Sequence, residues 1–440
     1  YLRGLPPTAA RPRPRDLSRG GRRPPGLLGT AFAGYMGITD ADVTALGAGR
    51  AAEERKIRMM RDYPLMTEEQ RTLVYLLRDF LKKEVMPHAA EWDEKGEFPL
   101  EVYKQLAELG FNAIDVPEEY GGLGCDALTT CLLRQELGYA EAGFAVSFAA
   151  ATFGIKPVIL AGTREQAMYY SEHLAHGGIC ANCLTEPQSG SDLALTRTTA
   201  VRDGDDYIIN GTKCFITNGA VANIYTVAAS TDPSKRGDGI SLFIVERDRP
   251  GVSVGKHENK MGIRASNTTD VVFEDVRVPA KNLIGPENSG FETLKQLLAH
   301  SRPTGMAVAL GIMDRAVEIA TRYAKERMTF GKPIAKQQMI KQKLADMQIL
   351  TQTSKGQVFY NASLLDHGIR DAALGAVTKA FVSENVVKVT DMALQVLGGY
   401  GYMKDYPIEK LYRDARIYPI FEGTSEIQRI VIAGDLVHQF

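Results

Sequence analysis

A single carboxylate stands near the C-terminal end, in Tyr418-Pro419-Ile420-Phe421-Glu422-Gly423-Thr424. The apolar run before Glu422 would desolvate it, which disfavours the charged form and raises its pKa. A Glu so placed becomes a general base near neutral pH. Gly423 has no Cβ, so its backbone N–H can come close to a ligand. A carboxylate base beside an open amide donor suits the removal of a proton from carbon next to a carbonyl whose oxygen must be held. The same residues also spell a helix start, with Thr424 or Ser425 as cap and Glu426 in the first turn.

Two further stretches could serve a flat heteroaromatic ring. Thr185-Glu186-Pro187-Gln188-Ser189-Gly190-Ser191-Asp192 is dense in small hydroxyl donors, and Phe215-Ile216-Thr217 offers one aromatic face. Such a ring wants stacking on its face and hydrogen bonds at its edge. Elsewhere, Gln395-Val396-Leu397-Gly398-Gly399-Tyr400-Gly401 places glycines where each costs roughly 1 kcal/mol relative to Ala in a helix interior. They mark a tight turn or a close backbone approach to a ligand. Arg327 closes a helix where a cation could meet a pyrophosphate, or could simply match the helix dipole. Gly122-x-Gly124-x-x-Ala127 does not fit a nicotinamide site, because Pro117-Glu118-Glu119 breaks the strand such a motif needs. Cys180-x-x-Cys183 lacks a second Cys or His pair, so no metal site is expected.

The elements that must hold these residues follow from periodicity. Apolar residues recur at helical spacing from Met66 to about Ala175, opening on a cap-like Thr67 with Glu68 and Glu69 behind it. From about Ile179 to Asn288 the period falls to two. Tyr207-Ile208-Ile209 and Lys213 to Thr217 read as a hairpin turned by Asn210-Gly211. Ser241 to Val245 and Val271 to Phe273 read as strands. Long helical runs return around residues 292–326, 337–366 and 370–397. The expected division is a leader over 1–60, helices over 61–178, a β module over 179–289 and helices over 290–440.

A chain of 440 residues with net charge −1 predicts more than one domain and excludes a strongly basic nucleic-acid binder. Five cysteines at this length fit a reducing compartment. No apolar stretch reads as long enough to span a bilayer. Residues 1 to about 35 are rich in Arg and Pro and would not form a core. They read as a transit peptide, a vector remnant or an over-extended start.

In this order, Pro117 to Gly122, Leu184-Thr185-Glu186-Pro187, Phe215 to Gly219, Arg327 to Gly331, Gln395 to Gly401 and Phe421-Glu422-Gly423-Thr424 resemble the acyl-CoA dehydrogenase family of flavoproteins. The likeness covers roughly residues 66–440 and leans to the short- and medium-chain, butyryl-CoA dehydrogenase-like members. It implies an α+β, mainly α fold: an N-terminal helical domain, a middle β-barrel-like domain and a C-terminal four-helix bundle. It implies one FAD per subunit in a homotetramer or dimer. Thr185, Ser191, Phe215, Ile216 and Thr217 would lie at the flavin ring. Arg327, Gln338, Gln395, Val396, Leu397, Gly398 and Gly399 would hold FAD across a subunit contact, with Thr424, Ser425 and Glu426 as a further contact. Ser191, the turn Ala299-His300-Ser301-Arg302 and Gly423 would meet the acyl-CoA substrate.

The implied reaction is α,β-dehydrogenation of the thioester, with Glu422 taking the α-proton, FAD taking the β-hydride and electron-transfer flavoprotein as acceptor. Relatives that carry the base before the Arg of the substrate turn would show it at Ser301, which cannot serve; Glu422 stands instead. Ala299 replaces a common acid, and Phe215 replaces a frequent Trp. Lys156 falls where relatives line the acyl pocket, and either faces a polar acyl tail or is solvated. Enoyl-CoA reduction, an acyl-CoA oxidase and a non-enzymatic flavoprotein are the competing readings. The expected setting is a bacterial or archaeal cytoplasm, or a mitochondrial matrix if the leader is a transit peptide.

Overall fold

The structure, a computed structural model, describes residues 61–439. The leader expected over 1–60 lies outside the described residues. Among the described residues, 68–175 form six α-helices: α1 (Glu68–Phe80), α2 (Ala89–Lys95), α3 (Leu100–Glu108), α4 (Ala127–Ala140), α5 (Ala142–Ala161) and α6 (Arg164–Ala175). Thr67 caps α1 with a reciprocal pair: its hydroxyl accepts from Gln70 N at 3.1 Å while Gln70 Oε1 accepts from Thr67 N at 3.0 Å.

Eight strands follow: β1 (Cys180–Cys183), β2 (Thr199–Asp203), β3 (Asp206–Thr217), β4 (Ile224–Ser230), β5 (Ile240–Glu246), β6 (Val252–His257), β7 (Thr268–Pro279) and β8 (Leu283–Ile284). They form one mixed sheet in the order β6-β7-β3-β2-β4-β5-β8, with β1 parallel to β4. Then come α7 (Gly290–Glu326), a small hairpin of β9 (Met328–Thr329) and β10 (Lys332–Pro333), α8 (Gln338–Asp366), α9 (Ala372–Leu397), α10 (Ile408–Ala415) and α11 (Ser425–Gln439). α9 packs against α7, α8 and α11.

The hairpin expected at Asn210-Gly211 is not there. Residues 206–217 form the single strand β3, paired along its length with β7. The register shifts between Ile209 and Gly211, so the Asn-Gly pair sits at a bulge. Asn210 crosses to β7, donating from Nδ2 to Asp275 Oδ1 at 3.0 Å and accepting from Asp275 N at 2.8 Å. A Cβ on Gly211 would lie 2.4 Å from Thr198 Oγ1, so close approach rather than a turn requires the glycine. The turn itself is at Gly204 (φ 62) and Asp205, between β2 and β3.

α5 is mostly apolar and mostly buried, with Ser147, Thr152 and Lys156 as its polar residues. Ala151, Ile155 and Val158 join Ile224 and Ala228 of β4, Leu242 and Ile244 of β5, and Leu294 and Leu297 of α7 in one core cluster. By length and composition alone this helix is apolar enough to cross a membrane, yet it is mostly buried within the protein, as the core helix of a folded domain is. α4 and α7 cross at glycines: a Cβ on Gly138 would lie 2.1 Å from Val308 O, and one on Gly311 2.1 Å from Gln135 O. This crossing brings the N-terminal helices onto α7, which carries Ser301 and Arg302.

Candidate active site

Glu422 lies between α10 and α11, in the left-handed region at φ 54, and Gly423 follows at φ 83. The buried Gln428 fastens this turn from within α11. Its Nε2 donates to Gly423 O at 2.8 Å and reaches Glu422 O at 3.3 Å. Thr424 caps α11, accepting from Ile427 N at 3.4 Å, and Glu426 stands in the first turn. The turn is thus a helix start, as the sequence allows, and the candidate base stands in it.

The Glu422 side chain reaches a cavity of about 470 Å³. Its Oε2 has no hydrogen-bond partner and no exposed surface. Burial pushes this carboxyl above its ordinary value, opposed by Arg134, Lys379 and Arg302. Lys379 is itself buried without a hydrogen-bond partner for Nζ. Burial pushes it down to about 8, against the pull of Glu422. On α7, Pro303 supplies no N–H to the turn before it, and Arg302 Nη1 donates to Ala372 O at 3.1 Å instead of solvent.

Eight of the sequence-predicted residues line this one cavity: Thr185, Ser191, Phe215, Ile216, Thr217, Arg302, Glu422 and Gly423. Phe215 is 66% exposed and left-handed at φ 57, an arrangement that spends backbone strain to hold an aromatic face open. The loop that carries Thr185 is braced from below. Lys213 Nζ donates to Glu186 Oε1 at 2.7 Å and to Leu184 O at 3.1 Å. Glu186 also accepts from Arg197 N at 2.7 Å and Thr198 N at 3.0 Å. Asn182 Oδ1 and the Tyr418 hydroxyl, both on cavity residues, are buried without partners. An open aromatic face, hydroxyl donors and orphaned polar atoms fit a flat heteroaromatic group such as a flavin ring.

A second cavity, about 570 Å³, is lined by Arg327, Val396, Leu397, Gly398 and Gly399 together with Tyr323 and Tyr400. It shares no lining residue with the first. Gln338 and Gln395 are exposed and line neither, and Thr424, Ser425 and Glu426 form the helix start. His300 and Ser301 line a smaller space of about 20 Å³ that touches Glu422, and Ala299 lines none of the three. Lys156 is not solvated: it is largely buried, with Nζ 3.5 Å from Asp115 Oδ2. Cys180 and Cys183 are free and buried in β1, and burial raises both thiols.

Four site residues escaped the sequence reading: Gly305, Arg134, Lys379 and Gln428. Each left a signal. Gly305 is a costly glycine inside a long helix, and Arg134 and Lys379 are cations in apolar helical stripes. Gln428 is a polar residue on the buried face of α11.

The three segments of the fold correspond to three successive family matches. Residues 67–178 match the acyl-CoA dehydrogenase N-terminal domain, 181–276 the middle domain and 288–437 the C-terminal domain. The chain belongs to the acyl-CoA dehydrogenase family, a family of flavoprotein oxidoreductases. It is 42% identical over 374 residues to an acyl-CoA dehydrogenase of Bacillus subtilis, covering 84% of this chain and 99% of that one. It is also 42% identical over 386 residues to an NADH-dependent acryloyl-CoA reductase of Anaerotignum propionicum, covering 87% and 98%. The structure of butyryl-CoA dehydrogenase from Megasphaera elsdenii superposes with a TM-score of 0.83 at 38% identity, covering 86% of this chain and all (100%) of that one.

Proposed function

We propose that this protein is a FAD-dependent dehydrogenase that sets a double bond between Cα and Cβ of a short- or medium-chain acyl-CoA. The observation that carries this reading is the Glu422 carboxylate: raised in pKa, unpartnered at Oε2 and sharing its cavity with the open ring of Phe215.

Thr185, Ser191 and Phe215 to Thr217 would hold the flavin ring. Arg327, Gln338 and Gln395 to Gly399 would hold the rest of FAD across a subunit contact, which accords with their standing at a separate cavity or on the surface. Thr424, Ser425 and Glu426 would add a further contact. Bound FAD would supply the acceptor for the hydride that leaves Cβ.

Glu422 takes the α-proton and becomes the neutral acid, the form its burial favours. Arg134, Lys379 and Arg302 oppose that preference and favour the ionised form that can accept the proton. The backbone N–H of Glu422 meets the thioester oxygen as negative charge develops there. The strained turn, fastened by Gln428, keeps the carboxylate from swinging away.

Electrons would pass to electron-transfer flavoprotein, and the working unit would be a homotetramer or dimer. The bacterial relatives favour a cytoplasmic setting. The acryloyl-CoA reductase relative keeps a second reading open, the same chemistry run toward saturation.

Anaerobic titration with butyryl-CoA tests the proposal. The visible absorbance of the flavin is expected to bleach in wild type, while Glu422→Gln binds the thioester without bleaching. An absence of bleaching by any acyl-CoA would leave a non-enzymatic flavoprotein. Oxygen uptake during turnover would make it an oxidase.

A further inference from the structure

The space of about 20 Å³ behind Glu422 is not built for a hydrocarbon. Its walls include Asp115, Arg134, Thr152, Lys156 and His300. It shares Ala149, Phe153 and Glu422 with the larger cavity, so the two adjoin. Arg134 and Thr152 are both buried, and Arg134 Nη2 donates to Thr152 Oγ1. Lys156 Nζ has Asp115 as its ion-pair partner, at a long 3.5 Å. Asp115 Oδ1 has no hydrogen-bond partner at all. The hydroxyls of Thr152 and Thr304 turn back onto helix carbonyls, at 3.0 Å to Ala149 O and 3.1 Å to Ser301 O.

The charges here do not balance. Arg134 and Lys156 flank the small space, and Arg302 and Lys379 approach Glu422 from α7 and α9. Against these four cations stand two carboxylates, Asp115 and Glu422. Burial first, then Lys156, pushes His300 down to about 4, so it is neutral and adds no charge. Arg370 also bears on His300 and only deepens the positive field. Lys379 additionally feels Glu426 and Glu384, which do not line either space. A buried surplus of positive charge is costly unless a ligand neutralises it.

We propose that the acyl chain accepted beside Glu422 is short and ends in a carboxylate, which Arg134 and Lys156 receive. A methyl end would desolvate both cations and give nothing back. A carboxylate takes charge-assisted hydrogen bonds from the guanidinium and the ammonium. The volume leaves no room for a further run of methylenes. This inference rests on the acyl-CoA reading above and names the class of acyl group within it.

The test compares chains of equal length with different ends. Wild-type holoprotein is assayed with glutaryl-CoA and with valeryl-CoA. The ratio of kcat/KM values is expected to favour glutaryl-CoA at least tenfold, and Lys156→Met or Arg134→Met is expected to lower that ratio at least tenfold. Arg134 is buried and its loss puts folding at risk, so binding is also measured by calorimetry on Glu422→Gln, which holds ligand without turnover. There too glutaryl-CoA is expected to bind at least tenfold tighter. Equal or better use of valeryl-CoA by wild type, or a ratio that Lys156→Met leaves in place, overturns the proposal while the acyl-CoA reading stands. Failure of both thioesters to bind or to bleach the flavin overturns both.

Discussion

Gly305 of α7 lies against the carboxylate of Glu422: a Cβ built on Gly305 would come within 3.0 Å of Glu422 Oε2 and 3.3 Å of Oε1. The helix therefore carries a glycine, at a cost of about 1 kcal/mol, where the base needs room. Gly305→Ala is expected to push the carboxylate off its position. Turnover should fall by about tenfold or more, since small misplacements of a reacting group are costly, while FAD content and melting temperature change little. Steady-state kinetics beside a flavin-to-protein absorbance ratio checks this.

Rate should track the ionised fraction of Glu422. Its pKa is raised above the ordinary 4.5 by burial, opposed by Arg134, Lys379 and Arg302. Turnover is thus expected to rise with pH through a limb that lies above 4.5. Lys379→Met removes one opposing cation, so the limb should move to higher pH. An unmoved limb in the pH–rate profile would remove Lys379 from the control of the base.

The same shift bears on stability. The folded-state pKa of Glu422 exceeds its unfolded value, so the folded chain holds the proton longer. Stability from this group is whole below 4.5 and is lost as pH rises toward the folded value. Glu422→Gln has no such loss. It is expected to melt above wild type at pH 7, with the difference closing at pH 4 or below, by scanning calorimetry on cofactor-free protein.

Beneath the Thr185 loop, Lys213 and Glu186 form a buried pair. Burial pushes the Glu186 carboxyl up, but Lys213 and the hydrogen bonds from Thr198 and Arg197 override it and hold it below the usual range. Lys213→Met strands that carboxylate. Stability should drop by roughly 3 kcal/mol or more, read from urea unfolding, and FAD should be lost more readily on dilution.

Phe330 sits at the tip of the β9–β10 hairpin, 95% exposed and left-handed at φ 49. A large aromatic ring in that state suits a partner surface rather than water. Phe330→Asp is expected to give a smaller particle by light scattering and a lower flavin occupancy. Retention of both mass and flavin would detach this hairpin from assembly.

Much of the architecture was legible in the chain. Residues 292–326, 337–366 and 370–397 carry a 3.6-residue period long enough to outweigh local noise, and each is a helix within a few residues of those bounds. Asn210-Gly211 misled because the local turn signal is the same whether the pair closes a hairpin or bulges a long strand. The neighbour that decides is Thr198, which the local pattern does not reveal. Glu422 was legible as a buried carboxyl of raised pKa from its own neighbours. Its companions were not, because Gly305, Arg134 and Lys379 reach it from three separate helices, and long-range packing leaves no spacing rule in the sequence. Lys156 misled for a related reason: its partner Asp115 is remote along the chain.

The positive φ at residue 422 has an evolutionary consequence. For an L-residue with a Cβ, that conformation costs about 1–2 kcal/mol, and Gly or Asn would occupy it more comfortably. A drifting lineage could therefore gain robustness simply by discarding its acid at this turn, leaving a sturdier protein without the proposed base. With Glu422 as the base, a glutamate persists there only under selection for turnover, so a homologue with Gly or Asn at this position must carry its acid elsewhere, as at the residue matching Ser301, or have given up the reaction.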